Sequence, residues 1–405
     1  MAKIERVDDA LDLLIKSCSK DFGEGAVFDL AHAVIPKIPK VSFGSIKIDI
    51  AGGGGAGKGR IIEIFGAESS GKTTFCLHLL KECQRDPQYI AQGRKPLYID
   101  AEHALDLDYA TESIGVDRSN LLIAQPGTGE DALQIAETFI RSGKISICVV
   151  DSVAALVPKV ELEGDMGQAH VGLQARLMSQ GLRKLTGICN TTGTILIFVN
   201  QIRYKIGVSF GNPETTSGGN ALKFYASQRI EIRRQTGNAA VGHDIDGNVN
   251  SFPTTVKFVK NKLFPPFRTA SIDIETGVGI NRLAELIDLA VDQKLIEKGG
   301  AWYEWKSGAR INFFQELERR NPEKPEDLEF VKDFPELIAL EKFELKRTVK
   351  ATLDTIEYKD NSWRAQGRPA AIQALKDRPE VANLLERQIR EIFFPRGVVE
   401  EPLEF

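Results

Sequence analysis

The sequence predicts an α/β protein with a mostly parallel central sheet, and three observations lead to this fold class. Short apolar runs alternate with helical segments between residues 61 and 200. A glycine-rich loop at residues 66–73 lies between one apolar run and a helical segment. A second apolar run ends in a carboxylate, Asp151. Alternation of apolar strands with helices is typical of a parallel sheet that is covered by helices on both faces.

The apolar runs define the expected strands of this sheet. Five of them are residues 61–65, 96–100, 121–124, 145–151 and 194–200. Apolar residues at helical spacing predict helices at residues 73–85, 129–142 and 172–186. Three later runs, 228–233, 253–259 and 268–275, follow without long helices between them. Because parallel neighbours need long crossover connections, these runs predict an antiparallel extension at one edge.

Both ends of the chain differ from this central pattern. Residues 4–20 show helical periodicity, and so short a helix must pack on its own core or on a neighbouring subunit. After residue 281 we expect a helix at 283–292, a strand at 301–305 and a helix at 375–394. The glycine run at residues 52–55 is interpreted as a flexible turn rather than a phosphate loop.

Composition excludes several classes of protein. The 405 residues are 42% hydrophobic and 27% charged, which is ordinary for a globular protein. The net charge of −4 excludes a uniformly basic nucleic-acid binder but not a local basic channel. We expect no membrane span, because the sequence has no stretch of about 18 apolar residues, and no secretory signal, because residues 1–9 contain no apolar run. The five cysteines form no CxxC pair, which predicts free thiols and a cytoplasmic location.

The strongest motif predicts a phosphate-binding loop. Gly66-Ala-Glu-Ser-Ser-Gly-Lys-Thr73 fits the pattern G-x-x-x-x-G-K-[ST], between an apolar strand and an amphipathic helix. Glycines let several backbone N–H groups face one point, and the helix N-terminus favours negative charge. We expect Lys72 to reach the β- and γ-phosphates and Thr73 to bind Mg²⁺. The nucleotide-binding residues predicted here are Gly66, Ala67, Glu68, Ser69, Ser70, Gly71, Lys72, Thr73 and Thr74.

Two further carboxylates complete the predicted chemistry. Asp151 ends a buried strand and is expected to bind the metal ion with Thr73. Hydrolysis also needs a group that activates water, and Asp100 and Glu102 follow a strand at the same sheet edge. We choose Glu102 for this role and leave Asp100 as a supporting residue.

These motifs together resemble the bacterial RecA recombinase family. The resemblance includes Gly-Ala-Glu-Ser-Ser-Gly-Lys-Thr-Thr at 66–74 and Ile-Asp-Ala-Glu-His-Ala-Leu-Asp at 99–106. Its most specific part is the stretch from Phe198 to Tyr225, which contains Phe-Gly-Asn-Pro-Glu-Thr-Thr-Ser-Gly-Gly-Asn at 210–220. It covers roughly residues 5–310 and resumes near 362–394. The segment at 312–361 departs from the family as an insertion, which could be a helical hairpin or a partner-docking surface.

The resemblance implies a domain organisation and a set of residue roles. Residues 1–35 would form an N-terminal polymerisation segment, 36–281 a RecA-like ATPase core, and 282–405 a small α+β C-terminal domain with the insertion. Glu102 resembles the catalytic glutamate and Gln201 the residue that senses the γ-phosphate. Asp106 and Tyr109 resemble an adenine-contacting pair. Lys260 and Lys262 resemble lysines that reach the neighbouring subunit's nucleotide, although by themselves they would be read as a solvated face.

Two segments lie where loops of the family meet DNA. The first covers residues 161–172, and Arg176 on the following helix resembles a phosphate contact. The second covers residues 203–218 and is structureless by pattern; loops of this length are often functional. Its cations suit phosphates and its apolar side chains can insert between bases. The predicted DNA-binding residues are Arg176, Arg203, Lys205, Ile206, Phe210, Gly218, Gly219 and Asn220.

The resemblance implies a DNA-dependent ATPase that polymerises on single-stranded DNA and exchanges strands with a duplex. Its cofactors would be ATP and Mg²⁺, and its partners would be DNA, further copies of itself and a repressor that is cleaved on the filament in the SOS response. Two other interpretations remain open: a hexameric helicase-type motor built on the same core, and a filament protein that binds single strands without exchanging them.

Overall fold

The computed structural model describes residues 5–23, 27, 37–165, 172–204, 213–235, 242–243, 249–305 and 362–394. Residues 1–39 and 40–405 form two separate compact units. The helices of the described residues are α1 (Glu5–Phe22), α2 (Ile46–Gly52), α3 (Lys72–Arg85), α4 (Pro87–Ala91), α5 (Gly129–Arg141), α6 (Lys159–Glu163), α7 (Leu173–Thr192), α8 (Ala221–Tyr225), α9 (Arg282–Asp292), α10 (Arg368–Lys376) and α11 (Pro379–Phe393). The strands are β1 (Lys40–Val41), β2 (Ala56–Gly57), β3 (Ile61–Gly66), β4 (Lys95–Asp100), β5 (Leu122–Ala124), β6 (Ile145–Asp151), β7 (Ile195–Tyr204), β8 (Glu214–Thr216), β9 (Gln228–Arg234), β10 (Gly242–His243), β11 (Val249–Asn261), β12 (Thr269–Glu275), β13 (Gly279–Ile280), β14 (Glu297–Gly299), β15 (Trp302–Trp305) and β16 (Trp363–Gln366).

An eleven-stranded sheet organises the second unit. Its strand order is β13-β12-β11-β9-β3-β7-β6-β4-β5, with β10 paired to β11 and β8 to β7. The six strands from β9 to β5 are parallel. In the register of these strands, Gly66 lies opposite Gln201 and Asp100 lies opposite Asp151. The carboxyl ends of four neighbouring strands therefore meet at one edge, which confirms the predicted mostly parallel α/β fold.

The antiparallel extension begins one strand later than the sequence predicts. β9 runs parallel to β3, whereas β11, β12 and β13 are antiparallel to their neighbours. The hairpin of β7 and β8, followed by α8, brings the chain back to the amino edge of the sheet. There Ser227 N–H donates to the carbonyl of Ile61 at 2.8 Å, so β9 starts beside the beginning of β3.

Three other boundaries differ from the sequence prediction. The single helix expected at 375–394 is two helices, because Pro379 begins α11 and has no N–H to continue α10. α7 continues to Thr192 and ends at Gly193, which has a left-handed φ of 73°. The second predicted DNA segment, residues 203–218, is not structureless throughout, because its first residues belong to β7 and pair with β8.

The glycine run at 52–55 ends α2 and turns the chain, and its packing explains why glycine is needed there. Gly53 caps α2 with a left-handed φ of 78°. A Cβ atom on Gly53 would lie 2.2 Å from Phe264 Cγ, and one on Gly55 would lie 2.2 Å from the carbonyl oxygen of Val41. The close approach of neighbouring groups leaves no room for a side chain.

Apolar side chains cover both faces of the sheet. One cluster packs α3 onto the sheet with Phe75, Leu79 and Phe258, and another packs α5 and α7 onto the opposite face with Leu133 and Phe198. Full burial of one such side chain contributes roughly 1.5–3 kcal/mol. Strands buried on both faces explain the continuous apolar runs of the sequence. Four cysteines lie in these clusters, namely Cys76, Cys83, Cys148 and Cys189. All five cysteines of the chain are free thiols.

A third apolar cluster consists mostly of residues beyond 281, together with Ile46 of α2. The antiparallel sheet β14-β15-β16 packs with α9, α10 and α11 around Leu286, Trp305, Trp363 and Leu385. Residues 312–361, the predicted insertion, lie outside the described residues.

Candidate nucleotide and DNA site

The phosphate-binding loop joins β3 to α3 in a conformation that needs its glycines. A Cβ atom on Gly66 would lie 2.2 Å from the carbonyl oxygen of Ile232 on the neighbouring strand. Ser69 and Gly71 have positive φ values of 53° and 93°. Ala67, Glu68 and Ser69 are exposed at the tip of the loop. Such alternation of backbone conformations points successive N–H groups into one concavity, which suits an anion.

Ser70 and Lys72 are the polar side chains of this loop whose surroundings suit a phosphate. Ser70 Oγ is buried and has no hydrogen-bond partner among the described residues. Lys72 Nζ folds back onto the loop and donates to the carbonyl of Ala67 at 2.6 Å. Burial lowers the pKa of Lys72, while the carboxylates of Asp151 and Glu102 oppose this shift. The unpaired hydroxyl and the half-buried cation fit a polyphosphate group.

The two residues predicted to bind a metal ion are in direct contact. Thr73 Oγ1 donates to Asp151 Oδ2 at 3.0 Å. Burial raises the pKa of Asp151, whereas the hydrogen bonds from Tyr98 and Thr73 lower it. A hydroxyl and a carboxylate beside a phosphate site are the hard oxygen ligands that Mg²⁺ prefers. The residues present therefore fit this ion.

The structure separates the roles of the two candidate carboxylates. Asp100 is buried, and it accepts hydrogen bonds from Ala104 N at 3.1 Å and Gln125 Nε2 at 3.1 Å. It holds the turn that carries Glu102. Glu102 is exposed, and its Oε1 accepts hydrogen bonds from Gln201 Nε2 at 3.2 Å and from Ser152 Oγ. Only Glu102 is oriented by neighbours while remaining open to solvent, which supports its choice over Asp100.

The predicted adenine-contacting pair lies beside the first turn of α3. Tyr109 is half-buried, and its hydroxyl lies 3.1 Å from Thr74 Oγ1. Asp106 Oδ1 accepts a hydrogen bond from Tyr109 N at 2.9 Å. These contacts bring Tyr109, Asp106 and Thr74 together next to the phosphate-binding loop.

The lysine pair lies away from the phosphate-binding loop of its own subunit. Lys260 lies opposite Arg229, which lies opposite Glu63, three residues before Gly66. One strand separates β11 from β3, so the lateral offset is about 10 Å. Lys260 Nζ donates to the carbonyls of Lys223 and Phe224, at 2.7 and 2.9 Å. Lys262 is exposed two residues further along.

The strand that carries Gln201 continues into the second predicted DNA segment. Arg203 is exposed, and one of its guanidinium nitrogens donates to Gln201 Oε1 at 3.1 Å. Glu102, Gln201 and Arg203 therefore form a hydrogen-bonded chain. Lys205, Ile206 and Phe210 lie outside the described residues.

The remaining predicted DNA-binding residues meet at the start of α7. Gly218 N donates to Gln174 Oε1 at 3.2 Å, and Gln174 Nε2 donates to the carbonyl of Val153 at 2.8 Å. A Cβ atom on Gly219 would lie 2.7 Å from Ala175 Cβ. These contacts bring the glycines at 218–219, the start of α7 and the segment around Val153 together. The side chains of Arg176 and Asn220, next in the chain to Ala175 and Gly219, are exposed.

Sequence reasoning missed two residues of the site. Ser152 donates a hydrogen bond to Glu102, and Tyr98 Oη donates to Asp151 Oδ2 at 2.6 Å. Ser152 had a usable signal, because it is polar and follows the strand-end Asp151. Tyr98 had none, because an aromatic residue inside an apolar strand is most simply a core residue.

Comparison with known proteins decides the family. A family model described as the RecA N-terminal domain matches residues 9–281. The chain belongs to the RecA family. It is 50% identical over 336 residues to Protein RecA of Geobacter metallireducens, which covers 82% of this chain and 91% of that protein. Protein RecA of Bacillus thuringiensis is 54% identical over 297 residues, covering 73% of this chain and 83% of that protein.

Membership in the RecA family establishes the general activity. The chain is a recombinase of DNA repair and recombination and a DNA-dependent ATPase that binds nucleotide and DNA and forms filaments. Among the helices that the structure describes, none is long and apolar enough to cross a membrane.

Proposed function

We propose that this chain uses ATP to assemble on single-stranded DNA and then pairs and exchanges that strand with homologous duplex DNA. The observation that carries the proposal is the hydrogen-bonded chain Glu102–Gln201–Arg203. It joins a carboxylate suited to hydrolysis with a cation at the base of the second DNA segment. Occupation of the nucleotide site can thereby change the state of the DNA-binding segment.

The roles in ATP binding follow from the contacts of the phosphate-binding loop. Lys72 and the N–H groups of residues 66–74 bind the phosphates, with the hydroxyl of Ser70 as a further donor. Tyr109 and Asp106 contact the base. Thr73 and Asp151 hold Mg²⁺, which supplies positive charge against the phosphate oxygens when it is bound.

Glu102 activates the water that attacks the γ-phosphate. Its hydrogen bonds to Gln201 and Ser152 hold the carboxylate in one orientation while it stays open to solvent. Proton transfer by a positioned carboxylate typically accelerates a reaction by about 10²–10⁴-fold. Gln201 senses the γ-phosphate and passes its state to Arg203.

Lys260 and Lys262 act on the nucleotide of a neighbouring subunit. Lys260 lies on β11, level with Glu63 rather than Gly66, and Lys262 lies just beyond the end of that strand. These positions support the assignment because they keep both lysines from their own phosphate-binding loop. A shared site predicts that Lys72→Ala subunits mixed with Lys260→Ala subunits regain some ATPase activity at mixed interfaces. As a control, Lys72→Ala mixed with the double variant Lys72→Ala/Lys260→Ala contains no intact lysine at position 72 and stays inactive. Equal turnover in both mixtures would rule out the shared site.

Strand exchange between circular single-stranded DNA and linear duplex DNA tests the proposed function. We expect ATP-dependent joint molecules followed by nicked circular product. Unwinding of a forked duplex without exchange would instead indicate a helicase-type motor. Binding and ATP hydrolysis without joint molecules would indicate a filament protein that does not exchange strands.

Three further assignments belong to this proposal. We assign residues 1–35 to polymerisation, 36–281 to the ATPase core and 282–405 to a C-terminal domain. Exposed Leu13 and Leu14 on α1 support the first assignment, since a neighbouring subunit can cover them. A cytoplasmic location and a repressor partner stay predictions, and incubating an SOS repressor with assembled filaments tests the latter through its self-cleavage.

A further inference from the structure

We propose that Tyr98 is a positioning residue that sets the divalent-cation affinity of the nucleotide site by holding the Asp151 carboxylate. The inference rests on the proposed binding of Mg²⁺ and nucleotide at this site. It concerns a side chain of the buried strand β4, which has no place among the residues assigned to the nucleotide, water or DNA.

The pairing of β4 with β6 brings Tyr98 to Asp151. Tyr98 lies opposite Val149, and Asp100 lies opposite Asp151, so Tyr98 reaches along the strand to the end of its neighbour. Its hydroxyl donates to Asp151 Oδ2 at 2.6 Å. Hydrogen bonds to ionised acceptors are short and about twice as strong as bonds between neutral groups. The phenol therefore holds one oxygen of the carboxylate firmly.

Two hydroxyl groups bind the same carboxylate oxygen. Thr73 Oγ1 also donates to Asp151 Oδ2, at 3.0 Å. Among the described residues, no donor bonds to Asp151 Oδ1. The carboxylate is thus fixed through one oxygen, and the other stays available to a cation or to one of its water ligands. The two hydrogen bonds to Oδ2 thus orient the carboxylate that is proposed to bind the metal ion.

The surroundings of Tyr98 make its hydroxyl a rigid support. Tyr98 is 1% exposed and belongs to the apolar cluster that contains Phe75 and Cys76 of α3. α3 also carries Lys72 and Thr73. Because the Tyr98 ring packs against α3 while its hydroxyl binds Asp151, it holds Asp151 in a constant position relative to the phosphate-binding loop. A tyrosine in close packing has two torsions, both held by its neighbours, and loses little freedom when it forms the bond.

Tyr98→Phe removes the hydroxyl and leaves the ring that fills the core. Asp151 then keeps a single donor on Oδ2 and can turn toward Lys72 or Thr73. Changes in groups that orient a metal ligand typically cost about 10–100-fold in metal affinity. We therefore expect the Mg²⁺ concentration for half-saturation to rise by about tenfold, while nucleotide binding without metal stays unchanged.

The chain provides a matched control. Tyr89 is also buried, at 2% exposure, and its hydroxyl donates to the carbonyl of Gly193 at 2.8 Å. Gly193 precedes β7, so this bond lies at the edge of the sheet opposite the nucleotide site. Tyr89→Phe likewise removes the hydroxyl of a buried tyrosine and its hydrogen bond, which is partly buried and far from Asp151. Any effect that comes only from a loosened core would appear in both variants.

The experiment titrates a fluorescent ATP analogue against wild type, Tyr98→Phe and Tyr89→Phe, first in chelator and then at increasing free Mg²⁺. Electron paramagnetic resonance of Mn²⁺ with the bound analogue gives metal affinity independently of turnover. We expect equal affinities in chelator and about a tenfold shift in the metal dependence of Tyr98→Phe alone. ATPase activity of that variant should recover at saturating Mg²⁺.

Three results would overturn the inference while leaving the proposed function intact. One is a metal dependence of Tyr98→Phe equal to that of wild type. The second is an equal shift in Tyr98→Phe and Tyr89→Phe, and the third is a loss of analogue binding by Tyr98→Phe in chelator, because either of these would show a purely structural role. Failure of the wild-type protein to bind the analogue at all would reject the nucleotide site itself.

Discussion

Gln201 Nε2 lies 3.2 Å from Glu102 Oε1 and joins the ends of two strands that are not adjacent in the sheet. β7 and β4 are separated by β6, and the two side chains meet above its carboxyl end. The same amide accepts a hydrogen bond from Arg203 through its oxygen. A single side chain thus contacts both the candidate water-activating group and the candidate DNA-binding segment, and this has consequences for both activities.

Gln201→Ala should separate nucleotide binding from DNA binding. The variant keeps the phosphate-binding loop, so its affinity for nucleotide should stay near that of wild type. It loses the link to Arg203, so a non-hydrolysable ATP analogue should no longer raise its affinity for single-stranded DNA. Fluorescence anisotropy of a labelled oligonucleotide, with and without the analogue, measures this. Gln134→Ala on the exposed face of α5 is the control, and an unchanged response in Gln201→Ala would reject the link.

Glu102→Gln should remove hydrolysis without removing assembly. The amide keeps the shape of the side chain but cannot take a proton from water, so turnover should fall by about 10²–10⁴-fold. Binding to single-stranded DNA in ATP should persist, since the phosphate contacts are intact. Steady-state phosphate release and a DNA-binding assay check the two parts. The same change at exposed Glu112 is the control, and turnover within threefold of wild type would assign water activation elsewhere.

His78 should make the stability of the protein fall in mild acid. Its Nε2 accepts a hydrogen bond from Ile280 N at 3.0 Å, and burial, with smaller effects from Lys81 and Arg282, lowers the pKa of His78 to about 4. The unfolded chain takes up this proton near pH 6.5, so stability is complete above that pH and declines as the pH falls toward 4. The loss amounts to roughly 3 kcal/mol.

His78→Gln offers a test, because an amide oxygen can accept the bond from Ile280 and does not titrate in this range. Urea unfolding at pH 7 and pH 5 should show a smaller difference in the variant than in wild type. The same substitution at exposed His103 should leave the difference as it is. Equal pH dependence in wild type and His78→Gln would contradict the assignment.

Glu285 should make the free energy of unfolding change with pH in the opposite direction to His78. Its Oε1 accepts hydrogen bonds from Ser45 Oγ at 2.9 Å and from Lys47 N, whereas Oε2 is buried without a partner among the described residues. Burial raises the pKa of Glu285 from 4.5 to about 7. The folded protein then holds a proton that the unfolded chain releases, so stability declines as the pH rises from about 4.5 through about 7.

Glu285→Gln imitates the protonated acid and should remove this decline. Between pH 5 and pH 8 the free energy of unfolding of the variant should change less than that of wild type. Glu380→Gln on the exposed start of α11 controls for the loss of one charge. If both variants keep the wild-type slope, Glu285 is ionised throughout and the buried site must hold a partner for Oε2.

Local patterns predicted much of this site because its parts are contiguous in the chain. Residues 66–73 contain the turn, the cation and the hydroxyl within one short segment, and Asp151 ends an apolar run that is the buried strand β6 in the structure. Such features depend on neighbours within a few residues, which is the range over which periodicity and glycine conformation act. The pairing of Thr73 with Asp151 followed from the parallel sheet that the same patterns predict.

The sequence alone therefore determined the parallel α/β core, the phosphate-binding loop and the family resemblance, all of which depend on short contiguous segments. Only the tertiary structure decided that β9 runs parallel to β3, that Asp100 is buried in a turn, that Lys260 lies away from its own phosphate-binding loop, and that Tyr98 holds Asp151. Each of these depends on which strands lie side by side and in what register. Register is set by packing between residues far apart in the chain, so no short stretch of sequence contains it.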